Sequence, residues 1–307
     1  MDEEKITDKR PLIVDVKRHA LHDGPGIRTT VFFKGCPLSC LWCHNPESIS
    51  PEPEIAFYPG DCIGCGRCVE VCPNGAIQLD NLQRIDRLLC QRCGKCASVC
   101  PGTGMRVVGE YYELDRLVEL ILRDKVYYET SGGGVTLSGG EPTFYMDYVS
   151  QLTRKLREHG LHVTIETAGH FQYEIFKSRI LPFLSLILYD IKLMDAEEHR
   201  RYTGRENQLI LENFRRLVKD SPIPVIPRTP LIPGITTRIE NLRAVAKFIR
   251  ECGLTQYSLL PYNPLGLSKR ENIGKKPVRL PQDWMSEDEE ARCKEVFSEV
   301  GLIKISS

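Results

Sequence analysis

Residues 35–47 read Gly35-Cys-Pro-Leu-Ser-Cys-Leu-Trp-Cys-His-Asn-Pro-Glu47 and place three cysteines in one short loop. Cys36, Cys40 and Cys43 are separated by three and then by two residues, so their thiolates can converge on one metal centre. A closed zinc or iron-sulfur site takes four protein ligands, and this loop supplies only three. The spacing therefore predicts a metal centre with one open position, at which a small molecule coordinates.

The composition is that of an ordinary globular protein. The chain has 307 residues and a hydrophobic content of 41%, enough for a large α/β domain with a smaller insert. Forty-one basic residues balance 41 acidic ones, so no net field favours nucleic acid or a membrane surface. The start, MDEEKITDKR, lacks an apolar signal segment, and the apolar run near residues 180–189 is too short to span a bilayer.

These features predict a cytoplasmic protein without nucleic-acid or membrane partners. Eleven of the 13 cysteines stand in close, regular spacings, which in a reducing compartment indicate metal ligands rather than disulfides. The remaining two, Cys252 and Cys293, have no such spacing and are interpreted as structural.

Two apolar segments before the cysteine loop are predicted to be strands, at residues 12–16 and 28–34. The connection between them, HDGPGIR, contains a turn sequence at Asp23–Gly26, and taken alone it indicates no more than a turn. The cysteine loop follows the second strand directly. Parallel α/β folds usually place their sites at this position, the carboxyl end of a strand.

Residues 51–109 differ in composition from the rest and are predicted to form a small inserted domain. The run Cys-x2-Cys-x2-Cys-x3-Cys-Pro, typical of bacterial ferredoxins, occurs twice there. The first run contains Cys62, Cys65, Cys68 and Cys72, and the second contains Cys90, Cys93, Cys96 and Cys100. In two-cluster ferredoxins the fourth cysteine ligates the other cluster, so we hypothesise that Cys100 joins the first set and Cys72 the second. Zinc sites group cysteines in pairs, so the repeat does not favour zinc.

Strand and helix patterns alternate through the remainder of the chain. Helices are predicted near residues 112–124, 146–159, 172–180, 207–219, 240–252 and 286–300, and strands near 135–137, 162–166, 186–191, 225–229 and 257–260. Counted from residue 28, these make six strand–helix units, which right-handed crossovers arrange as a parallel sheet. Six units do not close a barrel of eight, so residues 1–50 and 110–307 are predicted to form an open, partial (β/α)6 barrel with a final strand at 303–305.

Polar residues follow the predicted strands one after another. Two glycines in Ser-Gly-Gly-Glu-Pro leave room for a ligand at the backbone, and Asp190 and Lys192 of Tyr-Asp-Ile-Lys point to one face. Taken separately, these are most simply a turn and a surface ion pair. Taken together at neighbouring strand ends, they provide the opposite charges that an amino-acid ligand requires. The full set is Gly139, Gly140, Glu141, Glu166, Thr167, Asp190, Lys192, Arg228 and Asn263.

The cysteine triplet, with Trp42 before its last member, is the signature of radical S-adenosylmethionine (SAM) enzymes. HDGPGIRTTVFFKGCPLSCLWCHNPES, followed by the double ferredoxin run, SGGEP and DIK, resembles the activating enzymes of glycyl radical enzymes. The closer resemblance is to the subgroup with a two-cluster insert, related to pyruvate formate-lyase activating enzyme. It covers nearly the whole chain and is most specific in the first 110 residues.

The resemblance implies a [4Fe-4S] cluster on Cys36, Cys40 and Cys43 that binds SAM, in addition to two clusters in the insert. It implies reductive cleavage of SAM to methionine and a 5'-deoxyadenosyl radical, which removes hydrogen from a backbone glycine of a partner enzyme. The implied SAM contacts are Trp42, His44, Gly139, Gly140, Glu141, Glu166, Thr167, Asp190, Ile191, Lys192, Arg228 and Asn263.

The resemblance also implies a monovalent cation near Glu166 and Thr167. Asn263 departs from the pattern, because pyruvate formate-lyase activating enzyme has histidine at the matching position, and asparagine does not titrate as imidazole does. The departure bears on the cation site and on one SAM contact.

The implied partners are a glycyl radical enzyme and an electron donor such as flavodoxin or ferredoxin, and the chain is expected to be a monomer. Two alternatives stay open: a radical SAM enzyme acting on a small molecule or another peptide, and a ferredoxin-type electron carrier with a large α/β anchor. The three-cysteine loop disfavours the carrier, which has no use for an open iron. The chemistry requires no general acid or base, so the other histidines are interpreted as surface or packing residues: His19, His22, His159, His162, His170 and His199.

Overall fold

The computed structural model describes residues 10–305. The expectation that the amino terminus lacks a signal segment concerns residues 1–10, of which 1–9 lie outside this range. Within the described range, no helix is both long enough and apolar enough to cross a membrane.

A nine-stranded sheet forms the larger part of the molecule. In chain order its strands are β1 (Leu12–Ala20), β2 (Arg28–Lys34), β5 (Glu110–Tyr111), β6 (Gly134–Gly139), β7 (His162–Thr167), β8 (Leu186–Asp190), β9 (Val225–Leu231), β10 (Gln256–Pro261) and β11 (Ile303–Lys304). Their order across the sheet is β11-β10-β9-β8-β7-β6-β2-β1-β5. Every pair from β2 through β11 is parallel. The order confirms the six predicted parallel units and the final strand.

The first strand departs from the simplest parallel scheme, because β1 runs antiparallel to β2 and continues to Ala20. Its pairing with β5 covers only Leu12 and Ile13. The start of β1 therefore lies beside the carboxyl end of β2, where Leu12 pairs with Lys34. A short connection that reverses direction favours this antiparallel pairing.

Helices cover the sheet with their apolar faces. They are α3 (Leu114–Leu122), α4 (Lys125–Ser131), α5 (Met146–Glu158), α6 (Tyr173–Arg179), α7 (Ala196–Thr203), α8 (Gln208–Asp220), α9 (Ile239–Glu251), α10 (Leu265–Asn272) and α11 (Glu287–Ser298). In α5, the buried Val149, Leu152 and Leu156 recur at helical spacing, as expected for one apolar stripe. These side chains join one continuous core with the strands.

The insert has its own small core. β3 (Glu54–Phe57) pairs antiparallel with β4 (Met105–Val108), and the short helices α1 (Arg67–Glu70) and α2 (Lys95–Ser98) lie between them in the chain. Each short helix follows a glycine in the left-handed region and contains the third cysteine of its run, so the sequence repeat is also a structural repeat. The buried members of this core are Ile55, Phe57, Ile77, Ile85, Cys96 and Met105. The separate core supports the predicted inserted domain, whose limits at 51–109 stay a prediction.

Candidate active site

A cavity of about 810 Å³ lies at the carboxyl ends of the parallel strands, and we call it the barrel cavity. Nearly all of the site residues predicted from the sequence line it, although they come from five strands or their ends and from one loop. They are Cys36, Cys40, Trp42, Cys43, His44, Gly139, Gly140, Glu166, Thr167, Asp190, Lys192, Arg228 and Asn263. The volume is within the range of small-molecule sites.

The cysteine loop is fixed by backbone hydrogen bonds at both ends. Gly35 N–H donates to the Ser48 carbonyl at 2.7 Å, and Cys36 N–H donates to the Ile49 carbonyl at 3.0 Å. The middle of the loop is held by α7, because Ser39 N–H donates to the Thr203 carbonyl at 2.7 Å. The loop that carries the thiols is therefore ordered by backbone hydrogen bonds and not by metal binding alone.

The donor set of this loop fits an iron-sulfur cluster. All three cysteines line the cavity, and burial raises the pKa of each thiol, that of Cys40 to about 12. Such thiols stay protonated until a metal displaces the proton. A cubane cluster binds each thiolate at a different iron, and three thiolates leave one iron for another ligand.

Two glycines bring the backbone of the strand end against this loop. Gly139 has a φ of +100°, and a Cβ there would lie 2.4 Å from the Phe33 nitrogen. A Cβ at Gly140 would lie 2.3 Å from the Gly35 carbonyl oxygen. A larger residue would displace β2 at Gly139 and the start of the cysteine loop at Gly140, so the two glycines form a backbone wall of the cavity.

Four charged side chains, two of them buried and two partly buried, form a network in the cavity wall. Arg228 Nε donates to Asp190 Oδ1 at 2.9 Å, and Arg228 also donates to Glu166. Lys192 Nζ donates to the other Asp190 oxygen at 2.9 Å. Two positive and two negative groups give the network no net charge. Lys192 uses one of its three donors within this network and keeps two for a ligand.

Burial alone favours the neutral forms of Asp190 and Lys192, but the opposite charges of their neighbours in the network offset this effect. Burial opposes ionisation of Asp190, yet Arg228 and Lys192 outweigh it and hold the pKa of that carboxyl below its usual range. Burial likewise opposes the Lys192 ammonium, but Asp190 keeps its pKa above the usual value. The pair therefore stays charged near neutral pH, as recognition of a zwitterionic ligand requires.

Two predicted contacts lie behind the cavity wall. The Glu141 side chain is fully buried and does not line the cavity; it accepts hydrogen bonds from Thr167 Oγ1 at 2.9 Å and from Ala168 N–H at 2.8 Å. Ile191 is also buried away from the cavity, in the core. The Glu141 side chain thus braces two neighbouring strand ends and Ile191 packs in the core, and their contacts with SAM stay predictions.

Each of the residues implied for a cation already has hydrogen-bond partners elsewhere in the protein. Glu166 accepts from Ser138 and Arg228, while the Thr167 hydroxyl donates to Glu141 and accepts from Gly169 N–H at 2.9 Å. Asn263 Oδ1 accepts from Leu265 N–H at 2.9 Å. Among residues 10–305, no three His, Cys, Asp or Glu side chains are arranged around a single ion. The cation stays a prediction.

Several lining residues were missed by reasoning from the carboxyl ends of strands. Asp15 and Lys17 come from β1, which is antiparallel, and His22 and Asp23 come from the β1–β2 connection. His22 is exposed, as interpreted from the sequence, and it also borders the cavity. The signal for Asp23 was the HDGPG sequence, which also suits an ordinary turn. His199, in contrast, is buried with its ring hydrogen-bonded to the Arg205 carbonyl oxygen.

The insert cysteines fall into two sets. Cys62, Cys65, Cys68 and Cys100 line one cavity of about 20 Å³, and we call them the Cys62 set. Burial raises the pKa of Cys68, and so do the neighbouring thiols of Cys100, Cys62 and Cys65. Burial, with the thiols of Cys90 and Cys72, raises the pKa of Cys96 to about 11. The hypothesised Cys90 set is Cys72, Cys90, Cys93 and Cys96, of which Cys93 is exposed.

Comparison with protein families identifies iron-sulfur regions. Residues 61–105 match the family described as a 4Fe-4S dicluster domain, and residues 22–78 match a 4Fe-4S single cluster domain. The first match confirms the predicted ferredoxin-like character of the insert. A crystal structure of a radical SAM methyltransferase from Sphaerobacter thermophilus aligns with a TM-score of 0.52 and 14% identity, over 95% of this chain and 76% of that one. This likeness confirms the fold class.

Comparison with curated proteins finds relatives along most of the chain. The isethionate sulfite-lyase activating enzyme of Nitratidesulfovibrio vulgaris is 42% identical over 86% of this chain and 88% of that protein. The trans-4-hydroxy-L-proline dehydratase activating enzyme of Clostridioides difficile is 38% identical over 94% and 96%, respectively. The benzylsuccinate synthase activating enzyme of Thauera aromatica is 38% identical over 87% and 83%.

Proposed function

Because the chain belongs to the family of glycyl radical enzyme activating enzymes, we propose that its barrel cavity binds SAM beside a [4Fe-4S] cluster held by Cys36, Cys40 and Cys43. In this family, the reduced cluster cleaves SAM to methionine and a 5'-deoxyadenosyl radical, which removes hydrogen from a backbone glycine of the partner enzyme. The observation that carries the proposal is the meeting of three cysteine thiols, a glycine backbone wall and a charged network without net charge in one cavity.

The charged network binds the methionyl end of SAM. Lys192 offers free ammonium donors to the carboxylate, and Asp190 keeps that ammonium charged. Gly139 and Gly140 let the ligand amino group approach the backbone. Trp42, which is nearly buried and 6.2 Å from the Tyr202 ring centroid, forms the apolar wall for adenine with His44 beside it.

Glu141 and Thr167 act by position rather than by contact. Glu141 joins the loop after β6 to the end of β7 through Thr143, Thr167 and Ala168. Burial raises the pKa of Glu141, and the hydrogen bonds from Thr143 and Ala168 partly oppose this rise. The bracing keeps the glycine wall at a fixed distance from the cysteine loop.

The insert holds two further [4Fe-4S] clusters, one on the Cys62 set and one on the Cys90 set. The grouping is supported by the small cavity that the Cys62 set shares and by the mutual influence of the Cys72, Cys90 and Cys96 thiols. Four thiolates per cluster leave no open iron, so these clusters carry electrons rather than bind SAM. A flavodoxin or ferredoxin supplies the electron, and the protein works as a monomer.

Two measurements test the proposal. Anaerobically reconstituted protein with dithionite and SAM is expected to form 5'-deoxyadenosine, and its absence would refute SAM cleavage in this cavity. With a candidate partner added, electron paramagnetic resonance (EPR) should show a glycyl radical on the partner. Cleavage without any such radical, across the partner enzymes of the relatives above, would favour a small-molecule or other peptide substrate.

A further inference from the structure

Arg87 occupies the junction between the insert and the barrel. It lies in the segment between the two cysteine runs, three residues before Cys90, and its side chain is half-buried. The guanidinium donates through Nη1 to the Ile55 carbonyl of β3 and through Nη2 to the Asn272 carbonyl of α10 at 3.4 Å. One side chain therefore bonds to both parts of the molecule.

The barrel leaves space for this guanidinium. A Cβ at Gly274 would lie 2.4 Å from Arg87 Nε, and Gly274 has a φ of +71°, which favours glycine. Within residues 10–305, Arg87 Nε is buried without a hydrogen-bond partner. Burial of an unpaired donor is costly, so an interaction with a nearby negative charge is needed to offset it.

The Cys90 set begins beside Arg87, because Cys90 follows it by three residues and Cys90 N–H donates to the Asp86 carbonyl at 3.0 Å. Burial lowers the pKa of Arg87, and the thiolates of Cys90 and Cys96 oppose this fall, together with Glu54. This direction means that the guanidinium lies within electrostatic reach of two cysteines from one set.

The β3–β4 ladder places the Cys90 set on the barrel side of the insert. The end of this ladder nearer to the barrel pairs Glu54 with Val108, and Lys34 of β2 donates a hydrogen bond to Glu54 at 2.5 Å. Gly94, inside the second run, lies against Val107 at this end. At the far end, Met105 N–H donates to the sulfur of Cys100, a member of the Cys62 set, at 3.4 Å.

A fixed positive charge beside a cluster changes its reduction potential. A four-thiolate cluster gains one negative charge on reduction, and a nearby cation stabilises the reduced form. Burial of Cys96 works the other way, because it penalises the added charge. Arg87 is placed to offset that penalty for the cluster that lies against the barrel.

We propose that Arg87 is a positioning residue that raises the reduction potential of the cluster on the Cys90 set while tying that cluster to the barrel. The proposal rests on the two insert clusters of the proposed function. Its consequence is that the two insert clusters are not equivalent, since one carries a fixed cation on its barrel side.

The experiment is a redox titration followed by EPR, on protein in which Cys36, Cys40 and Cys43 are all alanine. This background isolates the insert, and about eight irons per chain are expected. A count near zero would refute the insert clusters themselves, before any Arg87 variant is made. Cys65→Ser and Cys93→Ser, matched positions of the two runs and both exposed, then assign each reduction step to its set.

Arg87→Gln should lower the equilibrium constant for reduction of the cluster that Cys93→Ser assigns to the Cys90 set (the Cys93-assigned step) at least tenfold. For a one-electron couple this is a fall of about 59 mV in the reduction potential. The reduction potential of the cluster that Cys65→Ser assigns to the Cys62 set (the Cys65-assigned step) should not change. Arg87→Lys, which keeps the charge, should restore the potential to within about threefold in the reduction equilibrium, or about 30 mV.

Three results would overturn the proposal: an unchanged Cys93-assigned step in Arg87→Gln, a shift of the Cys65-assigned step instead, or an equal fall in Arg87→Lys. If Arg87→Gln fails to hold iron, Arg87→Lys decides. Retained iron with the parent potential supports the proposal, whereas loss of iron from Arg87→Lys would assign Arg87 to packing alone and overturn it.

Discussion

The barrel loop and the insert use the same ligand for different purposes. The barrel loop has three cysteines facing a cavity of about 810 Å³, whereas the Cys62 set has four cysteines around about 20 Å³. Charged side chains line the first cavity, and mainly apolar or small residues line the second. A missing thiolate makes a reaction site only where there is also room and charge for a substrate.

The two regions also differ in how they are supported. The barrel loop is fixed by hydrogen bonds from strand ends and α7, within the continuous core of the large sheet. The insert has a small core in which the cysteines themselves form much of the packing. Its structure is therefore expected to depend on its clusters more than the barrel does.

The largest expected effect comes from removing one thiolate of the barrel loop. Cys36→Ala should abolish 5'-deoxyadenosine formation, because the cluster loses its attachment beside the SAM site. Iron should fall from about twelve to about eight per chain, since the two insert clusters remain. Chemical iron analysis and chromatography of the products measure both quantities.

Cys252→Ala is the matched control, because Cys252 is a half-buried thiol without metal spacing. It should keep both the iron and the activity. Retained SAM cleavage in Cys36→Ala, or a loss of eight irons instead of four, would remove the distinction between the two regions.

The second effect concerns the charged network of the barrel cavity. Arg228→Met removes the buried cation that the partly buried Glu166 and Asp190 share, and breaking a buried ion pair costs about 3–5 kcal/mol of unfolding free energy. Arg216→Met is the control, because Arg216 pairs with Glu174 at the surface, where an ion pair contributes about 0–1 kcal/mol. Anaerobic urea denaturation measures both variants, and equal losses would contradict the importance assigned to burial.

A third prediction concerns pH. Arg228 and Lys192 hold the pKa of Asp190 below its usual range, despite burial. A carboxyl with a lowered folded-state pKa stabilises the fold above its unfolded pKa, about 3.9, and loses that contribution as pH falls through the folded value. Metal-free protein should therefore lose unfolding free energy below about pH 4, and Asp190→Asn should lose less over the same interval. Parallel slopes for the two proteins would contradict this assignment.

The sequence predicted the barrel side of this comparison well. The cysteine loop, SGGEP and DIK are local patterns at strand ends, and parallel strands bring their carboxyl ends together whatever the details of packing. Side-chain direction was less accessible. Glu141 stands beside two glycines of the cavity wall in the sequence, yet its carboxylate turns back to Thr167 and Ala168.

The junction between the two regions could not be predicted from local patterns. Arg87 bonds to residues 32 and 185 positions away in the chain, and Lys34 joins β2 to the start of the insert. Contacts of this kind depend on how two independently recognisable units meet. A single sequence shows the cysteine spacing within each unit but does not show which residues form the contact between the two units.

The smallest expected effect tests whether the open edge of the barrel cavity contains a titrating ligand. Asn263 Oδ1 accepts a hydrogen bond from Leu265 N–H, so Asn263→His removes one neutral hydrogen bond, worth about 1 kcal/mol. If Asn263 shapes only this turn, the KM for SAM should change by less than about tenfold, with no new dependence on pH. A KM that becomes pH-dependent near the imidazole pKa, or activity that responds to potassium in the variant alone, would instead show that this position can enter the site. Such a result would place an imidazole ligand in the barrel cavity and sharpen its difference from the insert, where the proposed metal ligands are all cysteines.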